Sequence, residues 1–269
     1  MDLPLLDHVF VTVDSDTYQQ ARDSAFLHDD YARFMVKQAR SNLSGAYGSV
    51  CMAGDNTLFE FFDAAVPPLP GISGGVVLSY ERPGALDEVH QRLLDRGATS
   101  IEERSVERTV EGDVTLPWYR LLRPDLGEGT PVTLMVVQVA PEYYEHLGAV
   151  AAPDGRRSRS GYLDAVLGAG TSEKALKDIV GVTVRVRADR AKRLAATLEA
   201  IGFSCTGEEN VLAGPDVTIT LVVDETAPEG VVAMRNSLRV PWEHGTQRFG
   251  AGCALDADGW AFTPYRWAE

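Results

Sequence analysis

The sequence predicts an α/β (α+β) fold of repeated β-α-β-β-β units that build two curved mixed-sheet modules. Two observations carry this expectation. The order strand, helix, paired strands recurs along the chain. The chain also matches itself: TLFEFFDAAVP (57–67) resembles TITLVVDETAP (218–228), and HVFVTV (8–13) resembles GVTVRV (181–186). The first pair closes a unit and the second opens one. A spacing of roughly 70–85 residues between units is too long for a solenoid and suits paired modules, each curving a sheet around a cavity.

Each element has its own signal. Residues 8–13 alternate and are rich in β-branched side chains, which predicts a strand. Asp14 to Thr17 supply capping residues, and apolar members at Phe26, Tyr31, Phe34 and Met35 predict a helix from Tyr18 to Gln38. Strands follow at Tyr47–Ala53 and Thr57–Phe62, joined by Gly54-Asp55-Asn56, residues that tolerate the positive φ of a hairpin turn. Pro67-Pro68 ends this unit.

The second unit has a strand at Val76–Tyr80, a helix at Gly84–Arg96 closed by Gly97, and strands at Trp118–Leu122 and Val132–Val139. Residues 148–172, with Gly, Ala, Ser and an arginine cluster, read as a linker. This divides the chain into an N-terminal module (1–147) and a reduced C-terminal module (173–269). In the latter, Val182–Val186 is a strand, Asp189–Ile201 a helix closed by Gly202, and Thr218–Val223 a strand. A fourth, worn unit begins at Val231, its helix missing or very short.

Composition narrows the function. The chain of 269 residues carries a formal net charge of −14, which argues against nucleic acid and anionic membranes as partners. A small-molecule ligand is expected, with the chain a monomer or homodimer. Cys51, Cys205 and Cys253 form no CxxC pair, so neither a zinc cluster nor a dithiol motif is expected, and a reducing, cytoplasmic setting fits. MDLPLLDHVF has acid where a signal peptide needs Lys or Arg. No stretch approaches the length of a membrane span.

Strand parity singles out one constellation. His8, Phe10 and Thr12 share one face of their strand, and Val9, Val11 and Val13 the other. The valine face suits packing under helices, so the His8 face looks into the concave side. Glu60, with Phe62, shares a face in the unit's last strand, so His8 and Glu60 can meet in one cavity. An imidazole and a carboxylate there suit Fe, Mn, Zn, Ni or Co. They equally suit a metal-free acid/base pair, with Glu60 a base of raised pKa oriented by His8. A structural hydrogen-bonded pair is the third reading.

This arrangement resembles the vicinal-oxygen-chelate superfamily, which includes glyoxalase I, extradiol dioxygenases and the bleomycin- and fosfomycin-resistance proteins. DHVFVTVDSDTY, DSAFL and GDNTLFEFFDA, with the later RRSRSGYL and TQRFG, are similar to an uncharacterised bacterial glyoxalase-like family. The resemblance implies that His8 and Glu60 occupy two metal-ligand positions. The matching positions elsewhere are Gly75 and Met135 or Val136 in the second unit, and Gly181 and Leu221 in the third, and none of these is a ligand.

Other candidates are secondary. The EYYEH run (142–146) offers a further His, and Arg156, Arg157 and Arg159 offer charge for an anion or a solvated linker. Arg248 is a candidate substrate anchor beside Phe10, Thr12 and Phe62. Ser24 lacks a nucleophile elbow. The expected function is a small-molecule enzyme of lyase, isomerase or cyclase type, with a metabolite-sequestering resistance protein as the alternative.

Overall fold

The computed structural model describes residues 2–98, 100–169 and 173–267, with Gly112 as backbone only. Its first unit runs β1 (Leu5–Val13), α1 (Ser15–Arg22), β2 (Arg33–Ser41), β3 (Gly45–Ala53) and β4 (Leu58–Asp63). β4 returns parallel to β1, with β3 and β2 beyond it. The second unit repeats this order with β5 (Gly74–Ser79), α2 (Ala85–Asp95), β6 (Ile101–Thr109), β7 (Thr115–Pro124) and β8 (Val132–Val139).

Two short helices, α3 (Pro141–His146) and α4 (Arg159–Leu167), lead to the third unit. That unit has β9 (Leu176–Val186), α5 (Ala188–Ile201), β10 (Ser204–Cys205), β11 (Val211–Ala213) and β12 (Thr218–Val223). The fourth has β13 (Gly230–Leu238), β14 (Gln247–Phe249), β15 (Cys253–Asp256) and β16 (Gly259–Phe262), with no helix after its first strand among the described residues. Each sheet has eight strands, two units back to back. This is the arrangement of repeated units in two curved mixed sheets that the sequence predicts.

The two sheets differ in closure. β1 pairs antiparallel with β5, and at the far side Ser41 of β2 meets Arg108 of β6, so the first sheet is a barrel. β9 pairs with β13 in the same way, but β10 and β14 remain edges and the second sheet is open. The barrel therefore encloses a cavity, whereas the second sheet only curves.

Local chemistry explains the helices that form. Asp14 caps α1 by accepting from the Thr17 amide. In α5, Leu194, Leu198 and Ile201 recur on one buried face, and Gly202 at φ +115° ends the helix. Each of those side chains stabilises the fold by roughly 1.5–3 kcal/mol through burial. Val9, Val11 and Val13 enter a core shared by both sheets, as their strand face predicts. Polar ties cross the same interface: Asp216 accepts from the Leu6 amide, and Tyr31 accepts from Trp260 Nε1 and Asn236 Nδ2 at 2.9 and 2.7 Å. Among the described residues no helix is long and apolar enough to cross a membrane.

Three expectations require correction. The helix expected over Tyr18–Gln38 ends at Arg22, a single π-turn spans Leu27–Tyr31, and Arg33–Ser41 is strand. There Val36, Gln38 and Arg40 face outward while Met35, Lys37 and Ala39 face inward, a period of two hidden by the charged inner residue. β6 was not expected, because EERSVERT buries only Val106. Within the segment 148–172 expected as a linker, residues 159–167 form α4, and 170–172 lie outside the described residues.

Candidate active site

The barrel's inner face brings His8 and Glu60 together. Phe10 lies opposite Glu60 in the β1–β4 register, and His8 is one step away on the same face. His8 Nε2 stands 3.9 Å from Glu60 Oε2. Phe10 and Phe62 join them in the cavity wall, edge to face at 5.5 Å. Thr12 does not reach the cavity: it is buried, and its hydroxyl donates to the Ile72 carbonyl at 2.9 Å. Arg248 lies on β14 of the other sheet, exposed and outside the cavity.

A cation that sequence reasoning missed completes the centre. β2 and β3 place Lys37 opposite Ser49, and β3 and β4 place Cys51 opposite Glu60. Lys37 Nζ, Ser49 Oγ and Cys51 Sγ donate to Glu60 Oε1 at 3.4, 3.3 and 3.1 Å. The Lys37 side chain is 11% exposed, and its ammonium lies 5.1 Å from the Trp118 ring and 5.8 Å from that of Tyr47. Burial alone would raise the Glu60 pKa, but Lys37, His8 and the Cys51 thiol together hold it at about 2. Glu60 is thus a fixed carboxylate, and the expectation of a base with raised pKa is corrected. Burial works against the Lys37 charge, yet Glu60 keeps its pKa well above the ordinary value. Burial and the neighbouring Glu60 charge push the Cys51 thiol up, so it is neutral.

The second missed residue is Asp7. In a regular strand Asp7 and His8 point to opposite faces. The register against β5 shifts between Leu6 and His8, and both side chains line the cavity. Such bulges re-aim side chains. His8 Nδ1 lies 2.7 Å from Asp7 Oδ1. Burial disfavours the Asp7 charge, but Arg159 and His8 hold its pKa below the ordinary value. An ionised carboxylate only accepts, so Nδ1 carries the hydrogen and Nε2 faces the cavity.

Arg159 contributes from α4. Its Nη2 donates to the Asp7 carbonyl and pairs with Asp7 Oδ1, both at 3.1 Å, and its amide donates to Glu81 at 2.8 Å. At 7% side-chain exposure it is a buried anchor, not a solvated linker residue. α4 lies over the cavity with Tyr162, Leu163 and Val166 in its wall, held also by Arg33–Asp164 at 2.7 Å and Trp118 Nε1–Tyr162 Oη at 3.1 Å. His146 is outside the cavity, against the Tyr143 ring.

The donor set does not fit a catalytic metal. Gly75 lies opposite Phe10 in the antiparallel register. A Cβ at Gly75 would sit 2.7 Å from the Phe10 ring and from Thr133 Cγ2, so a ligand side chain there would have to displace them. Met135, which pairs with Val77 in the β5–β8 register, offers only a thioether. Among the described residues no three His, Cys, Asp or Glu side chains cluster to hold an ion, whereas a catalytic zinc takes three protein ligands. A divalent ion at His8 and Glu60 would also face the Lys37 ammonium. What the centre offers is an oriented imidazole, a fixed carboxylate and a buried cation.

Comparisons with known proteins place this geometry in context. A family model described as a family of unknown function (DUF5829) matches residues 6–259. No curated protein matches the sequence. Among solved structures, the chain is similar to a catechol 2,3-dioxygenase, with a TM-score of 0.46 and 10% identity, over 100% of this chain and 92% of that one. It is similar to a variant homoprotocatechuate 2,3-dioxygenase from B. fuscum (TM-score 0.40, 12% identity, 81% of this chain), spanning 54% of that structure's length. It is also similar to a variant Streptomyces coelicolor methylmalonyl-CoA epimerase in complex with 2-nitronate-propionyl-CoA (TM-score 0.34, 12% identity, 52% of this chain and 98% of that one).

Proposed function

The chain belongs to the family of unknown function DUF5829, and we propose that it is a small-molecule enzyme that moves a proton, of isomerase or lyase type, without a metal. His8 Nε2 is the atom that takes or gives the proton. The observation that carries this reading is the Asp7–His8 pair at 2.7 Å, with Nε2 directed into the barrel cavity. A carboxylate behind an imidazole fixes its tautomer and stabilises the imidazolium formed on proton uptake.

The other groups have matching roles. Proton removal beside a carbonyl leaves negative charge on the oxygen, and a buried cation stabilises such charge strongly where water is excluded. Lys37 supplies that cation, and Glu60 holds it in place. The aromatic wall at Phe10, Phe62 and Trp118 packs the apolar part of the substrate.

Deuterium wash-in tests this reading without a known substrate. The intact protein is incubated with a metabolite extract in heavy water, and carbon-bound deuterium is read by mass spectrometry. Wild type labels at least one metabolite, and His8→Gln lowers the rate by about two to four orders of magnitude. Equal labelling by both proteins defeats the proposal. The aromatic lining favours one other reading, a non-catalytic binder that sequesters a metabolite. That reading predicts a metabolite retained by the protein and never labelled.

A further inference from the structure

Charge bookkeeping inside the barrel cavity, which rests on reading that cavity as the site, says what kind of molecule it takes. The charged side chains in its wall are Asp7, Lys37, Glu60, Arg108, Arg157 and Arg159. Two pairs cancel, Asp7 with Arg159 at 3.1 Å and Glu60 with Lys37 at 3.4 Å. Arg108 and Arg157 remain, and neither has a carboxylate within ion-pair distance among the described residues. The wall thus carries two arginines without a direct ion-pair partner in a chain whose net charge is −14. An acidic protein concentrates cations in a partly enclosed, low-dielectric cavity only at a cost, and that cost is removed when an anion enters.

The two arginines are placed for this. The Arg108 guanidinium carbon lies over the Trp118 ring at 4.9 Å and the Tyr143 ring at 5.8 Å. Neither contact uses an N–H hydrogen bond, and a guanidinium fork grips a carboxylate or phosphate bidentately. Trp118 is also approached by Lys37, so one indole in the wall contacts both the Lys37 ammonium and the Arg108 guanidinium. Arg157 has a buried Nε without a hydrogen-bond partner, and burial lowers its pKa against the weaker influence of Glu142 and Glu145. A buried unsatisfied donor is costly until something accepts from it.

We propose that the cavity binds an anionic aromatic molecule, its carboxylate or phosphate held by Arg108 with Arg157 in support and its ring packed against Trp118 and Phe62. The reacting carbon then sits on the His8 side of the ring, away from the anchor.

Calorimetric titration of the intact protein with benzoate, phenyl phosphate and the neutral isostere benzamide tests this. At least one anion binds, benzamide binds about tenfold more weakly or not at all, and added salt weakens the anion. The preferred anion identifies carboxylate or phosphate as the anchored group. Arg108→Gln lowers the preferred anion's affinity by about tenfold or more, and Arg108→Lys retains part of it. Thermal melts of both variants confirm that they are folded. Benzamide binding as tightly as the anions, unchanged affinity in folded Arg108→Gln, or no saturable binding of either anion at millimolar concentration each overturns the proposal. The readout is binding, so the two readings separate. A protein that prefers the anions but labels no metabolite in heavy water keeps this site and loses proton transfer. One that labels metabolites but ignores ligand charge loses this site alone.

Discussion

Lys37 Nζ lies 3.4 Å from Glu60 Oε1 inside the barrel, and this ion pair governs the rest of the centre. It keeps Glu60 a carboxylate and Lys37 an ammonium despite their burial.

The pair makes stability depend on acid. The Glu60 pKa falls from 4.5 to about 2 on folding. A depressed carboxylate pKa contributes stability that is fully present above the unfolded value and is lost as pH falls through the folded one. Denaturant midpoints should therefore drop between about pH 4.5 and 2, and Glu60→Gln should flatten that window. At neutral pH Glu60→Gln leaves a buried ammonium unpaired and should cost roughly 3–5 kcal/mol, while the double replacement Glu60→Leu with Lys37→Met should restore most of it.

Metal affinity should follow the same charge. Equilibrium dialysis with Co²⁺ should find no stoichiometric uptake by wild type. Lys37→His removes the repelling charge and adds a third donor, so it should bind the ion measurably, with a visible absorption band. Tight uptake of one ion by wild type would show that Lys37 does not stand in a metal's way.

Gly75 tests how the vacant ligand position is filled. A methyl group there meets the Phe10 ring and Thr133 Cγ2 at 2.7 Å. Gly75→Ala should destabilise by about 1–3 kcal/mol through overpacking. Adding Phe10→Leu should recover part of that loss, measurable in chemical denaturation.

Arg159 ties α4 to the strand that carries His8. Arg159→Met removes the partner of buried Asp7 and should cost roughly 3–5 kcal/mol. Hydrogen exchange should speed up across residues 159–167, while α5 on the other sheet should be unaffected.

Much of this was legible in the sequence, for physical reasons that also mark where legibility stopped. The valine face of β1 and the parity of Glu60 placed the His8–Glu60 pair correctly, because a period of two needs no tertiary information. Asp7 was invisible, since the bulge that turns it inward is a property of the pairing with β5. Lys37 was lost when aromatic residues between Phe26 and Met35 suggested a helix, although Val36, Gln38 and Arg40 already alternated outward. α4 is hidden by the arginine cluster at its start, which reads as solvated until Asp7 is seen against Arg159. The self-match of 57–67 to 218–228 found the true fourth strands. The bridges His8↔Leu58 and Gly181↔Thr218 show that it conflicts by one residue with the match of the opening strands.

The most direct test of proton transfer is the state of the His8 ring, read by ¹⁵N NMR on protein labelled at histidine. Nδ1 should carry the hydrogen shared with Asp7, leaving Nε2 as the nitrogen whose lone pair faces the cavity. Asp7→Asn should disturb that tautomer. A ring protonated at both nitrogens, locked to Glu60 as a permanent imidazolium, would contradict the account and leave His8 a structural ion-pair partner.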